Sequence, residues 1–166
     1  MRPFVRLVCC ASLLLPAFAP TAMAADCPVG DTAAFERMME RDIMGRQRTD
    51  EAQERAQQAA LTATTDAMVA AGTLKDADVS ALYIGMLEDE EFKAIERHKH
   101  ETLLPRYLQS LTRITMKATD ADCKAAAEAV ATLDEIAADN ARQYARMRTL
   151  LEARAATATD GAHSDH

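Results

Sequence analysis

The chain has 166 residues, 49% apolar but only 4% aromatic and without Trp, and its 26 acidic residues against 19 Lys and Arg give a net charge of −7. That charge argues against a nucleic-acid binder, which needs clustered Lys and Arg to neutralise phosphates, and the apolar fraction is too high for a wholly disordered chain. Five Pro and five Gly are too few for the turns of a β-sandwich or barrel, and the length suits one domain.

The first predicted element is a secretory signal peptide, residues 1–24. Arg2 and Arg6 supply its cationic start, Leu7 to Ala19 an uncharged apolar run, and Ala22-Met23-Ala24 a small-x-small cleavage site. The apolar run is shorter than the ~20 residues that span a bilayer, so no stable membrane insertion is expected after cleavage. No Arg pair marks a twin-arginine signal. Cys9 and Cys10 come too early for lipid attachment, and Asp26 stands before Cys27 where a small residue belongs. Cleavage after Ala24 would give a periplasmic or secreted product of 142 residues with charge −9 and two cysteines, Cys27 and Cys123. In an exported protein these are expected to form one disulfide. A redox role would want a C-x-x-C pair, and none occurs.

Residues 25–156 read as helices throughout, since Ala, Glu, Arg, Gln, Met and Leu dominate and Pro is almost absent. The first predicted helix runs from Thr32 to Gln47, capped by Asp31, with Phe35, Met38, Met39 and Ile43 on its apolar stripe. The second runs from Asp50 to Ala71, capped by Thr49 and stopped by Gly72. Ala56, Ala60, Ala63, Ala67 and Ala70 form a seam suited to close packing of a neighbouring helix. The third starts at Asp76 or Asp78 and ends at Leu87, with Val79, Leu82, Tyr83, Met86 and Leu87 inward. The fourth runs from Asp89 to about Lys117, with a kink expected near Glu101 because Pro105 removes a backbone bond. The fifth runs from Asp120 to about Ala156 on a heptad-like seam: Cys123, Ala126, Val130, Leu133, Ala137, Asn140, Tyr144, Met147 and Leu151. Asn140, the polar member, is expected to fix register. Residues 157–166 carry no pattern and read as a disordered tail. The expected fold is all-α, a single antiparallel bundle of four to five helices with a Cys27–Cys123 bridge joining segments at one pole.

Tests for chemistry are mostly negative. There is no C-x-x-C-H for covalent haem, and the last helix offers no axial His. G-x-S-x-G and Gly-rich phosphate loops are absent. The densest polar cluster is Glu96-Arg97-His98-Lys99-His100-Glu101. On a helical wheel Glu96 and His100 fall on the apolar side and His98 opposite, so Glu96 and His100 are the candidate ligands for a divalent metal or small ligand completed by other helices. The Glu-x-x-His pattern of di-metal bundles is missing, because Arg97 and Ile95 stand where Glu is needed. His163 and His166 could hold a metal only weakly, for want of fixed geometry. Candidate docking surfaces are the acidic Glu88–Glu91 corner and the basic set Arg142, Arg146, Arg148 and Arg154. The function expected from this balance is an exported, non-enzymatic helical protein that binds another protein as an inhibitor, immunity protein or chaperone-like factor. The alternative is a metal- or small-ligand-binding bundle using Glu96 and His100. No cofactor is otherwise expected.

Overall fold

A computed structural model describes residues 27–162; the predicted signal segment, His163 and His166 lie outside the described residues. The described chain is an antiparallel helical bundle, and no strand occurs within it. Helix α1 spans residues 32–70, formed by Thr32–Met39, a π segment Glu40–Met44 and Gly45–Ala70. A 3₁₀ turn, Asp76–Asp78, leads into α2, Val79–Glu88. Helix α3 spans residues 90–112, formed by Glu90–His98, a second π segment Lys99–Leu103 and Leu104–Thr112. Helix α4 is Asp120–Ala162, 43 residues or ~65 Å at the usual rise, and continues past the expected end at Ala156.

Helix α1 begins as expected, with the Asp31 carboxylate accepting from Ala34 N at 2.9 Å. The expected break before Thr49 does not occur. The chain stays helical through Gly45, and the Thr49 hydroxyl donates to the Gly45 carbonyl at 3.0 Å instead of capping a new helix. The helix does stop at Gly72, whose φ of +72° lets Thr73 N reach Met68 O and Gly72 N reach Val69 O. This pair of bonds is a Schellman motif.

The alanine seam of α1 is a correction. Ala56, Ala60, Ala63, Ala67 and Ala70 all face solvent, and the inward face carries Leu61, Thr65 and Met68. Both sets repeat at alternating three- and four-residue spacing, on different faces of the helix. Burying Leu and Met removes several more methylene groups from water than burying Ala, at about 0.8 kcal/mol each, so the bulkier set takes the interior.

Pro105 acts where expected but differently. The disturbance covers Lys99–Leu103, including Glu101, as one wide turn ahead of the proline. The missing proline N–H is accommodated by this shift to i→i+5 bonding, which retains helical continuity.

The start of α4 is a reciprocal cap. Thr119 Oγ1 accepts from Asp122 N at 3.1 Å, while Asp122 accepts from Thr119 N at 3.0 Å and from the Thr119 hydroxyl at 2.7 Å. The same carboxylate accepts from Thr115 N and its hydroxyl, so one fully buried Asp closes the α3–α4 loop. The heptad-like seam expected for α4 buries Ala126, Val130, Leu133, Met147 and Leu151. A second buried line, Asp122, Ala125, Ala129, Thr132, Asp139 and Gln143, runs beside it. Two buried faces are needed because α4 packs against both α1 and α3.

Cys27 and Cys123 are bonded, with Cα atoms 5.9 Å apart across a separation of 96 residues. Both ends therefore share one pole, packed with Phe35, Met38, Ala118 and Ala126. Ile43, Tyr107, Ala129, Val130 and Leu133 form the next apolar cluster. A third, of Leu61, Met68, Leu74, Met86, Met147 and Leu151, fills the far half beneath α2.

Candidate functional site

A layer of polar side chains on α1, α3 and α4 lies among these apolar clusters. Its centre is Lys99. The buried side of α3 reads Phe92, Ile95, Lys99, Leu103, Tyr107 and Ser110, so Lys99 occupies a core position between Ile95 and Leu103. Its ammonium donates to Asn140 Oδ1 at 2.8 Å and Gln143 Oε1 at 2.7 Å and lies 3.1 Å from Glu96 Oε2. Three acceptors match its three protons. Gln143 donates back to Glu96, and Asn140 donates to Glu54 on α1. Asn140 thus joins all three long helices. Sliding α4 by one helical turn would strand each of these groups in a partly dry layer, which makes the cluster a register lock.

The predicted pair Glu96 and His100 does meet, with His100 Nε2 2.7 Å from Glu96 Oε1. Its setting differs from the expectation. The His100 side chain is 60% exposed and belongs to the outer wall of the bundle. His98, expected to face away, lies 2.8 Å from Asp139 Oδ2 on α4. A wheel centred between Phe92 and Leu108 turns Glu96 and His100 inward, but Leu108 is 58% exposed, and the buried face is centred on Lys99 instead. The π segment beginning at Lys99 then changes the angular step. A shallow cleft of about 240 Å³ beside the pair is lined also by Lys93, Arg97 and Glu101. Two of these are cations, and among the described residues no group of three His, Cys, Asp or Glu gathers around a common point. The pair accordingly lacks a third ligand of those types.

The acidic corner and the basic set are partly spent on each other. Arg146 grips Asp89 with Nε to Oδ1 at 3.0 Å and Nη2 to Oδ2 at 2.8 Å, and its Nε lies 3.2 Å from Glu91. Arg142 pairs with Asp139, and Arg148 lies 3.7 Å from Glu152. Asp89 also caps α3 by accepting from Phe92 N at 3.0 Å.

These contacts set the acid response. The Arg146 hydrogen bonds, with the Phe92 amide, hold Asp89 down to about 2 from an ordinary 3.8. Backbone amides of Thr119 and Thr115 hold Asp122 below the usual carboxylate range. At Glu96 burial pushes the pKa up, but Gln143, Lys99 and His100 outweigh it and the net shift is downward. At Asp139 burial is likewise outweighed by Arg142 and His98. Burial raises Asp50 instead. A depressed carboxylate stabilises the fold above its unfolded pKa, and that contribution disappears as pH falls through the folded value. Four such groups against one of opposite sign predict a melting temperature that drops steeply below about pH 4. Circular-dichroism melts between pH 6 and 2.5 check this, and a flat profile would contradict it.

Helix α2 offers a different kind of surface. It is apolar around most of its circumference. Met86 is 1% exposed and packs into the far cluster with Val79, Leu82 and Tyr83, whose hydroxyl meets Thr65 at 3.0 Å. Ile84 and Leu87 point outward, 58% and 54% exposed. The outward position of Leu87 departs from the inner stripe that its spacing predicts. The helix is only ten residues long and lies over a pole, so it has one neighbour-facing side and cannot bury both.

Comparison with protein-family models, with curated proteins and with solved structures finds no match. Among the described residues no helix is long and apolar enough to cross a membrane.

Proposed function

We propose that this is an exported, non-enzymatic helical bundle that binds another protein, and that the outer face of α2 is its anchor. The carrying observation is the exposure of Ile84 and Leu87 on a helix already fastened by Met86. Large aliphatic side chains on a fixed helix are suited to fill pockets in a partner at little entropic cost. The surrounding residues describe that partner. Asp76, Asp78, Glu88 and Glu90 are exposed around or beside α2, and the whole chain is acidic. A polypeptide segment with apolar side chains flanked by Lys or Arg fits this rim. Export is supported by the residues of the predicted signal segment and by the disulfide, which persists in oxidising compartments.

The test is a photo-reactive residue placed at position 84 of the full chain in cells that export it, with position 63 on the exposed alanine face as control. A discrete adduct is expected at 84 and not at 63. Leu87→Lys is expected to weaken capture about tenfold or more, given the 1.5–3 kcal/mol of burying a leucine. Capture that is absent, unaffected by Leu87→Lys, or composed of two copies of this chain would overturn the proposal.

A further inference from the structure

A second groove lies away from α2 and from the polar layer, between the first half of α1 and the end of α3. It encloses about 310 Å³, and Met39, Met44 and Met116 line it together with Glu36 and Glu40. Two departures from regular backbone bring these methionines together. In an α-helix, residues five apart point about 140° away from each other. Met39 and Met44 flank and end the π segment, where Gly45 N bonds to Glu40 O in the i→i+5 pattern. The wider turn brings residues five apart closer to one line. Met116 comes from the α3–α4 loop with φ of +62°, a left-handed conformation unusual for a residue other than glycine.

Met39 is half-buried against the two apolar clusters of this end, while Met44 and Met116 reach further into solvent. Met38 fills the core at 5% exposure, whereas Met44 is 46% and Met116 39% exposed. A leucine would cover the groove as well; what methionine adds is a thioether, a soft, uncharged donor. Soft donors select soft cations such as Cu(I), and carboxylates at the rim favour the approach of a cation. Glu40 also pairs with Arg48 at 2.9 Å, which leaves the sulfur atoms as the principal ligands.

We propose that the groove binds one soft monovalent metal ion, Cu(I), through Met39, Met44 and Met116. The site uses neither Glu96 nor His100 and is independent of the α2 surface. The experiment is anaerobic competition of the disulfide-intact protein against a chromogenic Cu(I) chelator, repeated with Ag(I). One equivalent is expected to bind. The methyl resonances of Met39, Met44 and Met116 are expected to shift, with those of Met86 and Met147 unmoved. Met44→Leu is expected to lower affinity about tenfold, and the triple change Met39→Leu, Met44→Leu, Met116→Leu to lower it at least a hundredfold. Leucine nearly conserves the volume, so circular dichroism should show the fold retained. Failure to withdraw metal from the chelator, equal binding by the triple variant, or saturation without movement of the three methyl groups would overturn the assignment. Metal kept by the triple variant would belong elsewhere, for instance on His163 and His166, and the groove would be left to an apolar side chain of a partner.

Discussion

Reduction of the Cys27–Cys123 bond, or replacement of both residues by Ala, should lower stability by about 4–5 kcal/mol and the melting temperature by ~10–20 °C. The bond joins residues 96 positions apart and closes a loop that contains α1, α2 and α3. In the chain-entropy account its effect lies in the unfolded ensemble, which loses the conformations that keep residues 27 and 123 apart. The folded state should persist without the bond. Gly30 N still donates to Ala118 O at 2.7 Å, and Phe35, Met38, Ala118 and Ala126 still pack at that pole. Urea melts with and without reductant, monitored by helical circular dichroism, give the number. A loss below about 1 kcal/mol would mean that the unfolded chain already holds these ends together.

The pole joined by the disulfide was legible because each signal was local or one-dimensional. Export chemistry pairs two cysteines, and the α4 seam from Cys123 to Leu151 runs at one period on an uninterrupted helix. The polar layer was not legible in the same way. Lys99 stands four residues after Ile95 and four before Leu103, which is a core position by spacing alone. Its charge kept it off the apolar stripe, and exposed Leu108 pulled the wheel away. Asp122 carried a readable mark, since Thr119-Asp120-Ala121-Asp122 has the capping-box pattern. Its hold on Thr115, seven residues back, has no such mark. The alanine face of α1 misled because periodicity reports two candidate faces and not which one a neighbour covers. The π segments lay beyond reach for a related reason. They are set by the fit between helices, and Pro105 announces only the second. A site that depends on them, such as the methionine groove, cannot be drawn with a fixed 100° step.

Phe35→Ala is expected to cost about 3–5 kcal/mol with the disulfide intact. Phe35 is 0% exposed and touches the same cluster as Cys27 and Cys123. The covalent tie holds the chain before α1 against α4, so the walls of the new cavity have little freedom to close, and the cost should lie high in that range. Without the tie, residues ahead of α1 are free to settle inward, and the same substitution should cost less. The two changes should therefore be sub-additive by about 1 kcal/mol or more, as neighbours sharing a cavity are. Leu151→Ala, in the far cluster, should add to disulfide loss within about 0.5 kcal/mol. Because disulfide loss and Phe35→Ala together approach the whole stability of a typical domain, Phe35→Leu is the milder arm that keeps the cycle measurable. Strict additivity of Phe35→Leu with disulfide loss would show that the bridge constrains the unfolded chain alone, with no share in how the folded pole absorbs a cavity.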